Sequence, residues 1–88
     1  MKTLFNPNFV RDLRKTKDQT LHDRVESVIE EIEVAETLAD ITNVKKLKGH
    51  AHLYRIRVGN YRIGVYVEKD EVHLMRFLHR KEIYRQFP

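Results

Sequence analysis

Residues 53–67 read LYRIRVGNYRIGVYV. Apolar and polar positions alternate on both sides of Gly59-Asn60, the period of two that half-buried strands require. Gly-Asn is a two-residue hairpin signal, and glycine in first place fits a type II′ turn. A two-residue turn also fixes the register. Val58 faces Tyr61, Arg57 faces Arg62, Ile56 faces Ile63 and Arg55 faces Gly64. Tyr54, Ile56, Val58, Tyr61, Ile63, Val65 and Val67 then share one face, and Arg55, Arg57, Arg62 and Tyr66 the other. The apolar face has to be covered; the cationic face is expected to be more open.

The cover comes from the first half of the chain. MKTLF can form a short strand. Asn6-Pro7 marks a helix start, with Asn as N-cap and Pro at the first helical position. Phe9, Val10 and Leu13 give that helix one apolar side. Polar residues 15–19 separate it from a second helix, expected over residues 20–39, where Leu21, Val25, Val28, Ile29, Ile32 and Ala35 recur at helical spacing. The glutamates of that helix form an acidic face, read as solvated. The pair predicts an αα-hairpin laid on the sheet. After Asn43 and Gly49 as breakers, further strands are expected at 53–58, 61–68 and 71–78, with Lys69-Asp70 as a weaker turn. A two-residue turn there puts Arg76 on the core side; one extra residue moves it to the cationic face. HRKEIYRQFP closes the chain as a helical turn and a tail. The expected fold is α+β: one domain over residues 1–88, an N-terminal strand and αα-hairpin on an antiparallel-rich sheet of about four strands.

The net charge of +4 hides a split. Residues 1–43 carry six Lys/Arg against nine Asp/Glu, net −3, and residues 44–88 carry eleven against four, net +7. A basic half of this kind suits an anionic partner. The chain has no cysteine, so there is no disulfide framework or thiolate metal site. That composition suits a reducing cytoplasm, and no apolar run of signal-peptide or membrane-span length stands at the N-terminus. No His/carboxylate spacing suggests a metal, and no glycine loop suggests nucleotide binding. His50, His52 and His73 carry no assignment.

Like charges opposed across a strand pair destabilise it, by roughly 0.2–1 kcal/mol. Folding alone gives no reason to place Arg57 against Arg62. An external anion would turn that repulsion into attraction, and the planar guanidinium fork suits phosphate. The alternative is that these arginines pair with the acidic helix or the tail. Gly64, opposite Arg55, leaves the sheet surface low where another backbone could approach, and Tyr66 offers a ring for base stacking. After the last strand, His79, Arg80 and Tyr84 can reach the sheet edge as proton-transfer and charge-neutralising groups. A tail tyrosine followed by Phe87 is more often packing than chemistry. Lys45, Lys46 and Lys48 add charge before the hairpin.

LKG, then LYRIRVGNYRIGVYV, then FLHRKEIYRQF resembles the RelE/ParE superfamily of toxins from type II toxin–antitoxin modules, most specifically over residues 47–84 and more RelE-like than ParE-like. The resemblance implies a compact toxin held inactive by a cognate antitoxin. RelE-like members cleave mRNA in the ribosomal A site without a metal or other cofactor; ParE-like members poison DNA gyrase instead. Carried onto this chain, the RelE-like set is Arg62, Arg80, Tyr84 and His79 as catalytic residues. Arg55 and Arg57 stand at the strand positions that bind RNA, with Tyr66, Lys45, Lys46 and Lys48 as further RNA contacts. Arginine replaces the lysine common at the strand positions, which favours binding over proton transfer there, and the Arg80–Tyr84 spacing is shorter than in RelE. Operator DNA is expected to be read through the antitoxin complex, and no membrane contact is implied. A passive basic RNA-binding module is the third reading.

Overall fold

A computed structural model describes all 88 residues. The elements are β1 (Lys2–Phe5), α1 (Pro7–Lys15), α2 (Gln19–Val34), a 3-10 turn (Leu38–Asp40), β2 (Val44–Lys46), β3 (Leu53–Val58), β4 (Tyr61–Glu68), β5 (Glu71–His79) and α3 (Arg80–Gln86). They form one five-stranded sheet in the order β1-β5-β4-β3-β2. Only the β1–β5 pair is parallel. The fold is thus the expected α+β arrangement with one strand more. The extra strand is β2, three residues on the sheet edge, with Lys45 opposite Arg55.

The hairpin register is the one the turn dictates: Val58 opposite Tyr61, Arg57 opposite Arg62, Ile56 opposite Ile63 and Arg55 opposite Gly64. Gly59 has φ +61°, and Asn60 does not share the positive φ, as a type II′ turn requires. The apolar face is the main core. Ile56, Val58, Ile63, Val65 and Val67 pack there with Val72, Leu74 and Phe77 of β5, under Phe9 of α1 and Leu21, Val25 and Ile32 of α2.

Local signals set the helix starts. The Asn6 side chain accepts from the Asn8 N–H, and that of Asp18 from the Leu21 N–H. The α2 helix stops at Val34, short of the expected residue 39, and its hydrogen bonds show why. The N–H groups of Glu36 and Thr37 donate to the Asp40 carboxylate. The carbonyls of Ile32 and Glu33, which a longer helix would have used, accept from the Met1 amino group.

Between β4 and β5 the two-residue turn and an extra residue coexist. Glu68 stands opposite Glu71, but the ladder skips Met75, so Val65 pairs with Leu74 and Gly64 with Arg76. This bulge brings Met75 and Arg76 to the face away from the main core. Arg76 then reaches round the β5 edge, which β1 leaves uncovered after Phe5. There Asp12 of α1, buried, accepts from Arg76 Nε at 2.7 Å and from the Phe77 backbone N–H at 3.1 Å.

The second face of the sheet is less open than its alternation predicts. The α3 helix lies on it, with Ile83 and Phe87 buried against Leu47, Leu53, Met75 and Leu78. The low spot at Gly64 is not left for another backbone. A Cβ there would sit 2.7 Å from Cδ2 and 2.8 Å from Cε2 of Phe87, so the chain's own ring fills it.

Candidate anion-binding site

Beside α3 the cationic face forms a shallow cavity of about 420 Å³, lined by Asn43, Val44, Lys45, Arg55, Arg57, Arg62 and Tyr84. Strand alternation supplies Arg55, Arg57 and Arg62; β2 adds Lys45 at the edge; α3 adds Tyr84. No carboxylate pairs with any of the three arginines. The ion pairs of the chain are Arg11–Asp12, Arg76–Asp12 and His73–Glu71. Pairing with the acidic helix, half of the alternative reading of these arginines, does not occur; pairing with the tail occurs once, between Arg55 and the Tyr84 ring.

Each guanidinium is held in a different way. Arg62 donates through Nη1 to the carbonyls of Gly59 at 3.0 Å and Tyr61 at 2.9 Å. A guanidinium has five N–H donors, so the Nε/Nη2 edge of Arg62 stays free to take two oxygens. Arg57 donates through Nη2 to Asn43 Oδ1 at 3.3 Å. Asn43 adopts φ +62°, a conformation asparagine tolerates better than most residues. Arg55 lies over the Tyr84 ring, 4.6 Å from its centroid, a cation–π contact. Its Nε is buried and has no hydrogen-bond partner. A buried donor without an acceptor is costly, and an oxygen-rich anion in the cavity would relieve it. The arrangement suits a phosphodiester: converging forks, no competing carboxylate, and an exposed phenol at the rim.

The structure does not bring every expected site residue here. Arg80 opens α3, with its backbone N–H on the Asn60 carbonyl. It stands one turn before Tyr84 on the same side of that helix, outside the cavity lining. His79 is the N-cap of α3, its Nδ1 accepting from the Lys81 N–H at 3.2 Å. Its ring meets Tyr61 edge-on and lines a separate cleft with Asp12 and Arg76. Lys46 stands opposite Tyr54 on the face covered by α1 and α2, and Lys48 lies in the turn after β2. Tyr66 shares the cationic face but sits a row beyond Gly64 and Phe87. Its ring lies between His52 and His73, and its hydroxyl donates to Glu68 at 2.6 Å. That hydrogen bond, then desolvation and the Glu68 charge, raise the Tyr66 pKa above its ordinary 10.0. Asn43 and Asp12 were missed as site residues, and Phe87 was read only as tail packing without its place on Gly64. Asn43 left a signal in the sequence as a breaker before the strands; Asp12 left none.

The fold and cavity define a small α+β protein that offers unpaired arginines to an anion. The family described as "ParE toxin of type II toxin-antitoxin system, parDE" matches residues 4–84. The chain is 45% identical to Toxin RelE3 of Methanocaldococcus jannaschii over 89 aligned residues, covering 100% of each. It superposes on a RelB-RelE antitoxin-toxin complex from Methanococcus jannaschii with TM-score 0.82 and 42% identity, over 97% of this chain and 99% of that one. An archaeal RelE-RelB complex from Pyrococcus horikoshii OT3 shares the fold, with TM-score 0.73 at 20% identity over 90% and 93% of the two chains. The chain therefore belongs to the RelE/ParE family and is a toxin of a type II toxin–antitoxin system.

Proposed function

We propose that this toxin is a metal-independent endoribonuclease that cuts mRNA on the ribosome. One observation carries the reading: three strand arginines, free of carboxylates, converge beside an exposed tyrosine. In the proposed reaction the ribose 2′-OH attacks the adjacent phosphorus and loses its proton. The P–O5′ bond breaks, and the leaving oxygen is protonated. The products are a 2′,3′-cyclic phosphate and a 5′-hydroxyl end. Arg62 stabilises the charge on the phosphorane through its free edge. Arg55 and Arg57 hold the backbone in line. The Tyr84 hydroxyl takes the proton-transfer role, with Arg80 one turn away as an assisting cation; His79 would have to act from outside the arginine cavity. Ribosomal positioning of the mRNA supplies the in-line geometry. A cognate antitoxin, with acidic side chains on the same arginines, would silence the protein, and operator DNA is left to that complex.

The test is a reconstituted translation reaction on a defined mRNA, with and without ribosomes, with 5′ ends mapped. Ribosome-dependent cuts at A-site codons, lost in Arg62→Ala with a near-unchanged melting temperature, are expected. A folded Arg62→Ala that still cuts at the wild-type rate refutes the assignment. The second reading is a ParE-like inhibitor of DNA gyrase. It is favoured by the ParE description of the matching family and by the placing of His79 away from the arginines. It expects intact mRNA, and toxicity unchanged in Tyr84→Phe.

A further inference from the structure

We propose that Phe87, seated on Gly64, is the positioning residue that holds Tyr84 over Arg55. The inference rests on the nuclease reading for its kinetic arm only.

The α3 helix has seven residues, and a helix that short has no stability of its own in water. Its place is set by what it touches. Its start is fixed by the Arg80 N–H on the Asn60 carbonyl and by the His79 cap. The rest is fixed mainly by Ile83 and Phe87, which stand four apart on one side and are both buried, with one exposed tie, Gln86 Oε1 accepting from Arg76 Nη2 at 3.4 Å. Tyr84 follows Ile83, so it projects from a different side of the helix and is exposed. Its ring packs under the Arg55 guanidinium. Nothing buries Tyr84 in its working position; the helix carries it there.

The anchor depends on a missing side chain. Phe87 Cγ, Cδ2 and Cε2 all lie 2.7–2.8 Å from where a Gly64 Cβ would be, closer than real Cβ contacts come. Gly64 has no positive φ, so backbone conformation does not demand glycine there; the ring does. Any side chain at 64 lifts Phe87, and the last turn of α3 moves with it. Arg55, Arg57 and Arg62 lie on strands and stay in place. The anchor therefore acts on the rate of the chemical step and spares phosphate binding.

The test uses Gly64→Ala, Phe87→Ala, Phe87→Leu and the double variant Gly64→Ala/Phe87→Ala, with folding checked by amide NMR dispersion. The first readout needs no activity: the ring-current shift that Tyr84 imposes on the Arg55 Nε–H and δ protons. It should collapse in Gly64→Ala and Phe87→Ala and return in large part in Phe87→Leu. In single-turnover cleavage on programmed ribosomes, Gly64→Ala and Phe87→Ala should lower the maximal rate by roughly 10²-fold, the scale of an ångström-sized misplacement. The half-saturating concentration should stay near the wild-type value, because Arg55, Arg57 and Arg62 remain on their strands. Adding Gly64→Ala to Phe87→Ala should cost nothing more. A folded Gly64→Ala with the Arg55 shift intact overturns the proposal, whatever its activity. So does a lost shift with full cleavage rate. If the wild type cuts nothing while the shifts behave as expected, the nuclease reading falls and the anchoring stands.

Discussion

Asp12→Ala is expected to remove a large share of the stability of this toxin. The Asp12 side chain is 4% exposed and its carboxylate holds three donors. These are the Phe77 backbone N–H at 3.1 Å, Arg76 Nε at 2.7 Å and Arg76 Nη2 at 3.3 Å. Alanine strands the Phe77 N–H and Arg76 Nε, while Arg76 Nη2 keeps a second acceptor, Gln86 Oε1 at 3.4 Å. Truncating one member of a buried ion pair costs about 3–5 kcal/mol. Arg76 is 19% exposed and can regain some water, so the expected loss lies near the lower end, about 3 kcal/mol. A chain of this length has roughly 4–13 kcal/mol in all. At about 4–8 °C per kcal/mol for a domain this small, the midpoint should fall by ~12–24 °C. Asp12→Asn keeps a carbonyl oxygen for the Phe77 N–H and should recover about 1 kcal/mol, the worth of one neutral hydrogen bond. Replacing both partners, Asp12→Leu with Arg76→Met, should cost less than Asp12→Ala, because no charge is left buried. Urea unfolding followed by circular dichroism measures these differences, provided the slope stays constant. An Asp12→Ala loss below about 1 kcal/mol, under the range for a broken buried pair, would refute the reasoning, as would an asparagine variant worse than alanine.

Two further outcomes probe the sheet surface. Inorganic phosphate should raise the thermal midpoint by filling the arginine cavity, stabilising by about 1.4 kcal/mol at ten times its dissociation constant. Arg57→Gln/Arg62→Gln should lose that effect, with chloride at matched ionic strength as the control; an equal rise in the variant would disprove binding there. Of the four tyrosines, Tyr66 should ionise above its ordinary 10.0, because its hydroxyl donates to Glu68. A raised folded-state value means the contribution is full below pH 10.0 and is lost as pH rises through that raised value. Ultraviolet titration should show a late phenol that Tyr66→Phe removes and Glu68→Gln returns towards 10.0; a late phenol surviving in Tyr66→Phe would contradict the assignment.

The hairpin and the core face were legible because a two-residue turn converts sequence directly into register. The α1 start was legible because Asn6 acts on an N–H two residues away; Asp18, which caps α2, was read only as part of a polar spacer. What was not legible depends on partners distant in sequence. Ala35 and Leu38 continue a helical spacing, so periodicity alone extends α2. It is stopped by Asp40 and by an amino group more than thirty residues earlier. The β2 strand is three residues long and exists only through its pairing with β3. Gly64 reads as an open notch until α3 is seen to lay Phe87 into it. The bulge at Met75 lies inside a strand without turn chemistry, and it alone decides where Arg76 points.

The same distinction runs through the site. Arg55, Arg57 and Arg62 followed from alternation, and their lack of acidic partners is a fact of the fold. His79, Arg80 and Tyr84 lie close in sequence, but a helix beginning at Arg80 scatters them. Position 79 caps it against Tyr61, 83 and 87 anchor it, and 80 and 84 share another side. What joins the two sets is the turn itself. The carbonyls of Gly59 and Tyr61 hold Arg62, and that of Asn60 holds the first N–H of α3. Three consecutive carbonyls thus place both the arginine and the helix that carries Tyr84. A third residue in that turn would shift them together. Hairpin register, Arg62 and the tail form one geometric unit, set by the choice of Gly-Asn.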